Sequence, residues 1–289
     1  MRLDGRRESE NVEDRRGMSG ATKAGLGGIG AVIIAAIIAF ISGGDPISVI
    51  TNSATQIGTQ TSQSDGEYQP TPEEEEFARF TKQILAGTED VWTKVFNNMG
   101  KTYRPPTLVL FTGAVNSGCG NATASVGPFY CSADEKLYID LSFFKQMRDQ
   151  MGAGGDFAYA YVVGHEVGHH VQHLLGTLDA AHQKMSRLSE KEANKVSVRI
   201  ELQADFYAGI WGYYDNQIYN SLEDGDIEEA LNCATKIGDD YLQKQAQGYA
   251  VPESFNHGTS RQREKWLKRG LSTGDMSKGN TFDYSDSQL

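Results

Sequence analysis

The pentapeptide His165-Glu166-Val167-Gly168-His169 constrains this chain more than any other stretch. In a helix, side chains at i and i+4 lie one above the other on a single face. Both imidazoles would then reach one metal ion, and Glu166 would lie beside it, where it could take a proton from water. The surrounding residues support a helix: Phe157, Tyr159, Ala160, Val163 and Val167 recur at helical spacing from Asp156 to about Gly176. Two histidines do not hold a catalytic zinc alone. Three protein ligands and one open position are needed, so the fold must bring another group to this helix.

A third histidine at the metzincin spacing is absent, because Gln172 and Leu175 stand where Gly and His are required. His173 lies about 12 Å along the helix axis from His165, and His170 points about 100° away from His169. Both read as polar helix residues. The remaining source is a second long helix, expected over residues 190–216, on which Glu201 and Asp205 share a face. Antiparallel packing would deliver Glu201 to the metal. Asp205 could then accept a hydrogen bond from the free ring nitrogen of a ligating histidine and fix its tautomer. Ala204, Tyr207, Ala208 and Trp211 mark a buried face, where unpaired carboxylates would be costly.

The chain has 289 residues and a formal charge of −11, unevenly placed. Residues 1–23 carry six basic and five acidic side chains, a balance of +1, so the remainder carries −12. An acidic main domain repels phosphate backbones, which argues against nucleic-acid binding. Residues 24–44 form an uncharged run of 21. As a helix it would extend about 31 Å, close to the hydrocarbon thickness of a bilayer. After Lys23 the next basic residue is Arg79, so the positive-inside rule expects residues 1–23 in the cytoplasm and everything after Gly44 across the membrane. A cleaved signal peptide and a buried core helix are the competing readings of the same run.

Residues 45–71 are rich in Ser, Thr, Gln and Gly and read as a flexible polar linker. Thr71-Pro72-Glu73-Glu74 is a helix start, and residues 72–289 are expected to form one domain. The first helix is expected to be interrupted at Gly87-Thr88 and to end at Gly100. Strands are expected at residues 107–111, 125–130 and 136–141, the last two bracketing a turn. Later helices are expected over residues 226–247 and from about Ser260. A small sheet followed by several helices defines an α+β domain. Cys119 and Cys131 flank a Gly/Asn/Ser-rich loop, and a disulfide is expected between them in an exported domain. Cys233 is then left over as a buried small hydrophobe.

Three segments together resemble the YpfJ-type neutral zinc metallopeptidases of bacteria. They are residues 165–169, the Glu201-x-x-x-Asp205 element, and the tail Phe255-Asn256-His257-Gly258-Thr259-Ser260-Arg261-Gln262-Arg263-Glu264-Lys265-Trp266. Residues 1–17 also resemble that family's opening, a short basic N-terminus before one membrane span and a polar linker. The resemblance covers nearly the whole chain. It implies a zincin-like, gluzincin-type peptidase at the inner membrane, with His165, His169 and Glu201 as zinc ligands and Glu166 as catalytic acid/base. Phe206 departs from the pattern, since relatives often carry Cys there. The His257-Gly258 segment, with Arg263 six positions on, is similar to the His-Pro…Arg element of membrane-associated gluzincins. There His257 or Arg263 would donate to an oxyanion or brace Asp205, unless the segment is only a helix start.

The expected function is therefore membrane-anchored, zinc-dependent hydrolysis of peptide or protein substrates, with one zinc ion and Glu166 as general base. An edge strand at residues 125–130 or 136–141 would hold the peptide backbone. A tethered binding protein with this fold but no turnover is the alternative, as is a structural domain in which the motif is coincidental.

Overall fold

Thr71 begins the first helix with a capping box. Its hydroxyl accepts from the Glu74 N–H, and the Glu74 carboxylate accepts from the Thr71 N–H at 2.7 Å. In the computed structural model, which describes residues 1–18 and 68–289, this helix runs unbroken as α1 (Pro72–Asn98). The expected interruption at Gly87 is corrected. A Cβ on Gly87 would fall 2.3 Å from Arg6 Nη2 and 2.7 Å from Asp215 Oδ1, so this glycine makes room for an ion pair while the helix continues.

That ion pair belongs to the N-terminal segment. Residues 1–18 pack on the main body. Within them β1 (Val12–Asp14) runs parallel to β2 (Thr107–Phe111), pairing Val12 with Leu108 and Asp14 with Leu110. Arg6 grips the fully buried Asp215 through two hydrogen bonds of 2.6 and 3.0 Å. Ser9 and Asn11 both donate to Glu89 of α1. The uncharged run at residues 24–44 and nearly all of the linker at 45–71 lie outside the described residues. Among the described residues, no helix is long and apolar enough to cross a membrane.

After α1 a small hairpin, β3 (Ala114–Ser117) and β4 (Gly120–Thr123), precedes β5 (Phe129–Cys131) and β6 (Lys136–Asp140). The main sheet has the order β1-β2-β6-β5. Its first three strands are parallel, and the edge strand β5 is antiparallel to β6. The strand expected over residues 125–130 is shorter and later, because Ala124–Val126 forms a 3-10 turn. Cys119 and Cys131 are joined in a disulfide, tying the hairpin to β5, and Cys233 is free and buried.

The rest is helical: α2 (Ser142–Asp149), α3 (Asp156–Leu174), α4 (Thr177–Met185), α5 (Glu190–Tyr219), α6 (Asp226–Lys236), α7 (Asp239–Gln247) and α8 (Ser260–Thr273). Together with the sheets they make an α+β architecture. The single helix expected over residues 226–247 is two. Ser260 Oγ donates to the Thr235 carbonyl at 2.6 Å, and the Asp239 N–H turns to Gly258 at 2.9 Å, so α8 and the segment before it satisfy groups that a continuing helix would have used.

α3 is the hub. It is buried nearly all round, against α5, α6, α1 and β5, which is why its apolar residues do not form one stripe. Its packing on α5 is antiparallel: Gly164 meets Ala208 and Trp211, Gly168 meets Ala204, and Gln172 meets Ile200.

Candidate metal centre

Gly168, one of the three residues between the two histidines, sets the site. A Cβ on Gly168 would fall 2.9 Å from the Ala204 carbonyl oxygen, so only glycine lets α3 approach α5 this closely. That approach carries Glu201 to the histidine pair. Glu201 Oε2 lies 3.2 Å from His165 Nε2, and Oε1 lies 3.5 Å from His169 Nε2. The two rings stand at 88° with centroids 4.8 Å apart. One atom from each of the three residues lies within 4.8 Å of the other two, and all three side chains are nearly enclosed. Ligands of a tetrahedral zinc with bonds of about 2.0–2.1 Å stand roughly 3.3 Å apart, so the donor set and its spacing fit that ion.

Each ring is oriented from behind. His165 Nδ1 meets Asp205 Oδ1 at 2.8 Å, which turns the Nε2 lone pair toward Glu201 when Nδ1 carries the proton. His169 Nδ1 meets Gln172 Oε1 at 2.9 Å to the same effect, and the Gln172 amide is held in turn by the Ile200 carbonyl and Gln203. Asp205 is fully buried and saturated with donors. Tyr161 donates at 2.6 Å, and Arg263 Nε and Nη2 each donate at 2.9 Å. Arg263 arrives from α8, where Gly209 and Gly270 meet backbone to backbone. A Cβ on Gly270 would lie 2.2 Å from the Phe206 carbonyl oxygen.

Charge follows from these neighbours. Burial alone would raise Asp205, but Arg263 and His165 together reverse it and hold the carboxyl down at about 2. Burial opposes protonation of His165, and the Asp205 and Glu201 carboxylates reverse that, holding it up at about 9. His169 is pushed down to about 4 by burial. Burial likewise opposes ionisation of Glu201, yet the two imidazoles hold it well below the usual carboxylate range. A cation here would displace the His165 proton, because both rings must be neutral to ligate. Glu166 differs from its neighbours. It is buried, its Oε2 has no partner among the described residues, and desolvation raises it to about 7 with Glu201 adding to the effect.

His257 does not touch Asp205, which Arg263 braces. The His257 ring is buried, its Nδ1 lies 3.0 Å from Asp239 Oδ1, and its Nε2 has no partner. It lines one cavity with His165, Glu166 and Glu201. Burial would depress His257, but its contact with Asp239, with Glu201 adding to the effect, raises it. Asp239 Oδ2 also accepts from the N–H groups of Asn256, His257 and Gly258 at 2.7 to 2.9 Å.

Three residues around the centre carried no expectation. Tyr161 stands four positions before His165, so its place on the same face was readable from the spacing. Gln172 was read only as the residue that breaks the metzincin pattern. Asp239 has no local signal, being 18 residues from the histidine it holds. His170, expected as a polar helix residue, is fully buried, with Nε2 donating to the Arg104 carbonyl at 2.7 Å and Nδ1 accepting from Tyr130. His173 faces Glu135 and Asp179, away from the centre.

Two histidines and a glutamate on adjacent helices, with a second glutamate between the histidines, define a centre of the two-imidazole, one-carboxylate class. The chain belongs to the family described as "Putative neutral zinc metallopeptidase", whose model matches residues 1–282. It is 48% identical to the uncharacterized protein YpfJ of Escherichia coli strain K12, over 99% of this chain and 100% of that one. Uncharacterized proteins of Mycobacterium bovis and Mycobacterium tuberculosis are each 41% identical, over 72% of this chain and 73% of theirs. No solved structure matches the chain.

Proposed function

We propose that the protein is a zinc-dependent endopeptidase, holding one zinc ion through His165, His169 and Glu201 and using Glu166 as general base. The observation that carries this reading is the convergence of those three ligand groups beside a buried glutamate whose outer oxygen has no partner. A binding protein without turnover has no use for such a group, because burying an unpaired carboxylate is costly. When bound, zinc supplies Lewis acidity, bringing the pKa of water toward neutrality and polarising a carbonyl.

The chain's own groups do the rest. Glu166 takes the proton of the attacking water and hands it to the leaving amine. Asp205, locked by Arg263 and Tyr161, keeps His165 in one tautomer, and Gln172 does so for His169. His257, raised by its contact with Asp239, offers an Nε2–H to the oxygen that gains negative charge. The edge strand β5 crosses the same cleft, with Phe129 and Tyr130 lining a cavity beside Glu166, and gives a peptide backbone an unpaired edge to extend.

The test is zinc content together with hydrolysis of a mixed peptide library. The native protein is expected to retain zinc and cleave peptides. Glu166→Gln should keep zinc and lose at least about 100-fold in turnover. Glu201→Ala should lose zinc. A zinc-replete, fully active Glu201→Ala protein would overturn the ligand set, and full activity in Glu166→Gln would overturn the base.

A further inference from the structure

Resting on the peptidase reading, a second observation points to what the site accepts. Two cavities flank the centre, and among the described residues only Glu166 and Glu201 line both. The larger, about 130 Å³, lies between β5 and α4–α5, with walls from Phe129, Leu178, Met185 and Ile200. The smaller, about 50 Å³, is walled by Phe143, Met147, Val162, Cys233 and Ile237. A dry cavity of about 150 Å³ holds a benzene ring, whereas about 10–15 Å³ suffices for one water. The larger space therefore suits an aromatic or long aliphatic side chain, and the smaller a short aliphatic one.

Apart from His257, which the proposed mechanism assigns to the developing oxyanion, neither wall carries, among the described residues, a charged group free to pair with a ligand. Glu166 and Glu201 belong to the proposed catalytic centre, and Arg263 is engaged by Asp205. A charged substrate side chain would be desolvated there without compensation. In an extended peptide, successive side chains point to opposite faces. Residues on the two sides of a bond held at Glu166 and Glu201 would thus enter different cavities. We infer that the substrates are peptides with apolar residues flanking the cleaved bond, a large one on the β5–α4 side and a small one on the α2–α6 side.

The test sequences the products of a random peptide library cut by the zinc-loaded protein, alongside Met185→Trp. Met185 is half-buried on α4 and outside the proposed catalytic machinery, and a tryptophan there fills the larger cavity. At least tenfold enrichment of large apolar residues on one side and small ones on the other is expected, with Asp, Glu, Lys and Arg depleted on both. Met185→Trp should cut the large-residue peptides at least tenfold more slowly while sparing those with alanine there. Cleavage without preference, or for charged residues, overturns this inference and leaves the peptidase reading standing. Absence of any hydrolysis overturns both.

An independent observation concerns where the chain sits. The single-crossing expectation puts residues 1–23 and the main domain on opposite faces of a membrane. Yet β1 is hydrogen-bonded to β2, Arg6 neutralises a buried aspartate of α5, and Arg16 bonds Glu75 of α1 at 2.9 Å. Gly17 packs so closely on Tyr68 that a Cβ would fall 2.2 Å from the Tyr68 Cβ, so the two described stretches meet where residues 19–67 join them. A strand and a buried counter-ion cannot be supplied across a bilayer. We propose that residues 1–18 and 68–289 occupy the same compartment.

Single cysteines at exposed sites, Glu10→Cys and Lys184→Cys in the full chain, report this through a membrane-impermeant maleimide applied to intact and then permeabilised cells. Both sites labelled, or both protected, before permeabilisation is the expected result. One labelled and the other protected would overturn the proposal.

Discussion

Asp205 and Asp239 perform the same task for different rings. Each is buried and each fixes a histidine from behind, but only Asp205 is matched by an arginine. Asp239 relies instead on three backbone N–H groups, and its contact raises His257 against the effect of burial. His257→Ala should therefore retain zinc and lose at least about tenfold in kcat with little change in KM. Asp239→Asn should act in the same direction. Unchanged turnover in His257→Ala would remove the ring from the chemistry. At this scale the sequence was informative where spacing is local. His165, Glu166 and His169 announce a shared helix face, and Glu201 with Asp205 announces another. Asp239 could not be seen, because nothing in its own neighbourhood distinguishes it from any acidic residue opening a helix.

Among elements, the long helices were legible because burial imposes a 3.6-residue period, and β2 because its apolar run follows Pro105-Pro106. β1 was not. Three residues reading Val-Glu-Asp look like part of a charged tail, and become a strand only because β2 offers an edge. Gly87 was misread for a related reason. A glycine that breaks a helix and one that clears space for Arg6 are identical in sequence. The N-terminal segment is thus a structural element of the domain, and its loss should be felt through Asp215. Leaving that buried carboxylate unpaired costs about 3–5 kcal/mol. Arg6→Ala should lower Tm by roughly 10 °C, as read by thermal unfolding. An unchanged Tm would mean that the segment adds nothing to the fold.

For the molecule as a whole, one buried imidazole makes stability depend on pH. His170 is fully buried and neutral, pushed down to about 4 from 6.5 by burial. The unfolded chain takes up its proton first as pH falls. Stability from this group is complete above pH 6.5 and is lost between 6.5 and about 4. The loss amounts to about 3 kcal/mol. With chelator present in both samples, His170→Gln should show a flatter fall of Tm across that window than the native protein. Parallel curves would contradict it. The overall plan, a small mixed sheet beside helices built around α3, was readable as an α+β class from the order of elements. The partners that close it were not, because contacts such as Arg6 with Asp215 join residues 209 positions apart.

The central claim is that one divalent ion is held by neighbouring turns of α3 and a carboxylate from α5. Zinc-edge anomalous diffraction from crystals of the zinc-loaded protein reads this directly. The account predicts a single strong peak within bonding distance of His165 Nε2, His169 Nε2 and the Glu201 carboxylate. A peak bound elsewhere, or none at this centre in protein shown to contain stoichiometric zinc, would contradict it.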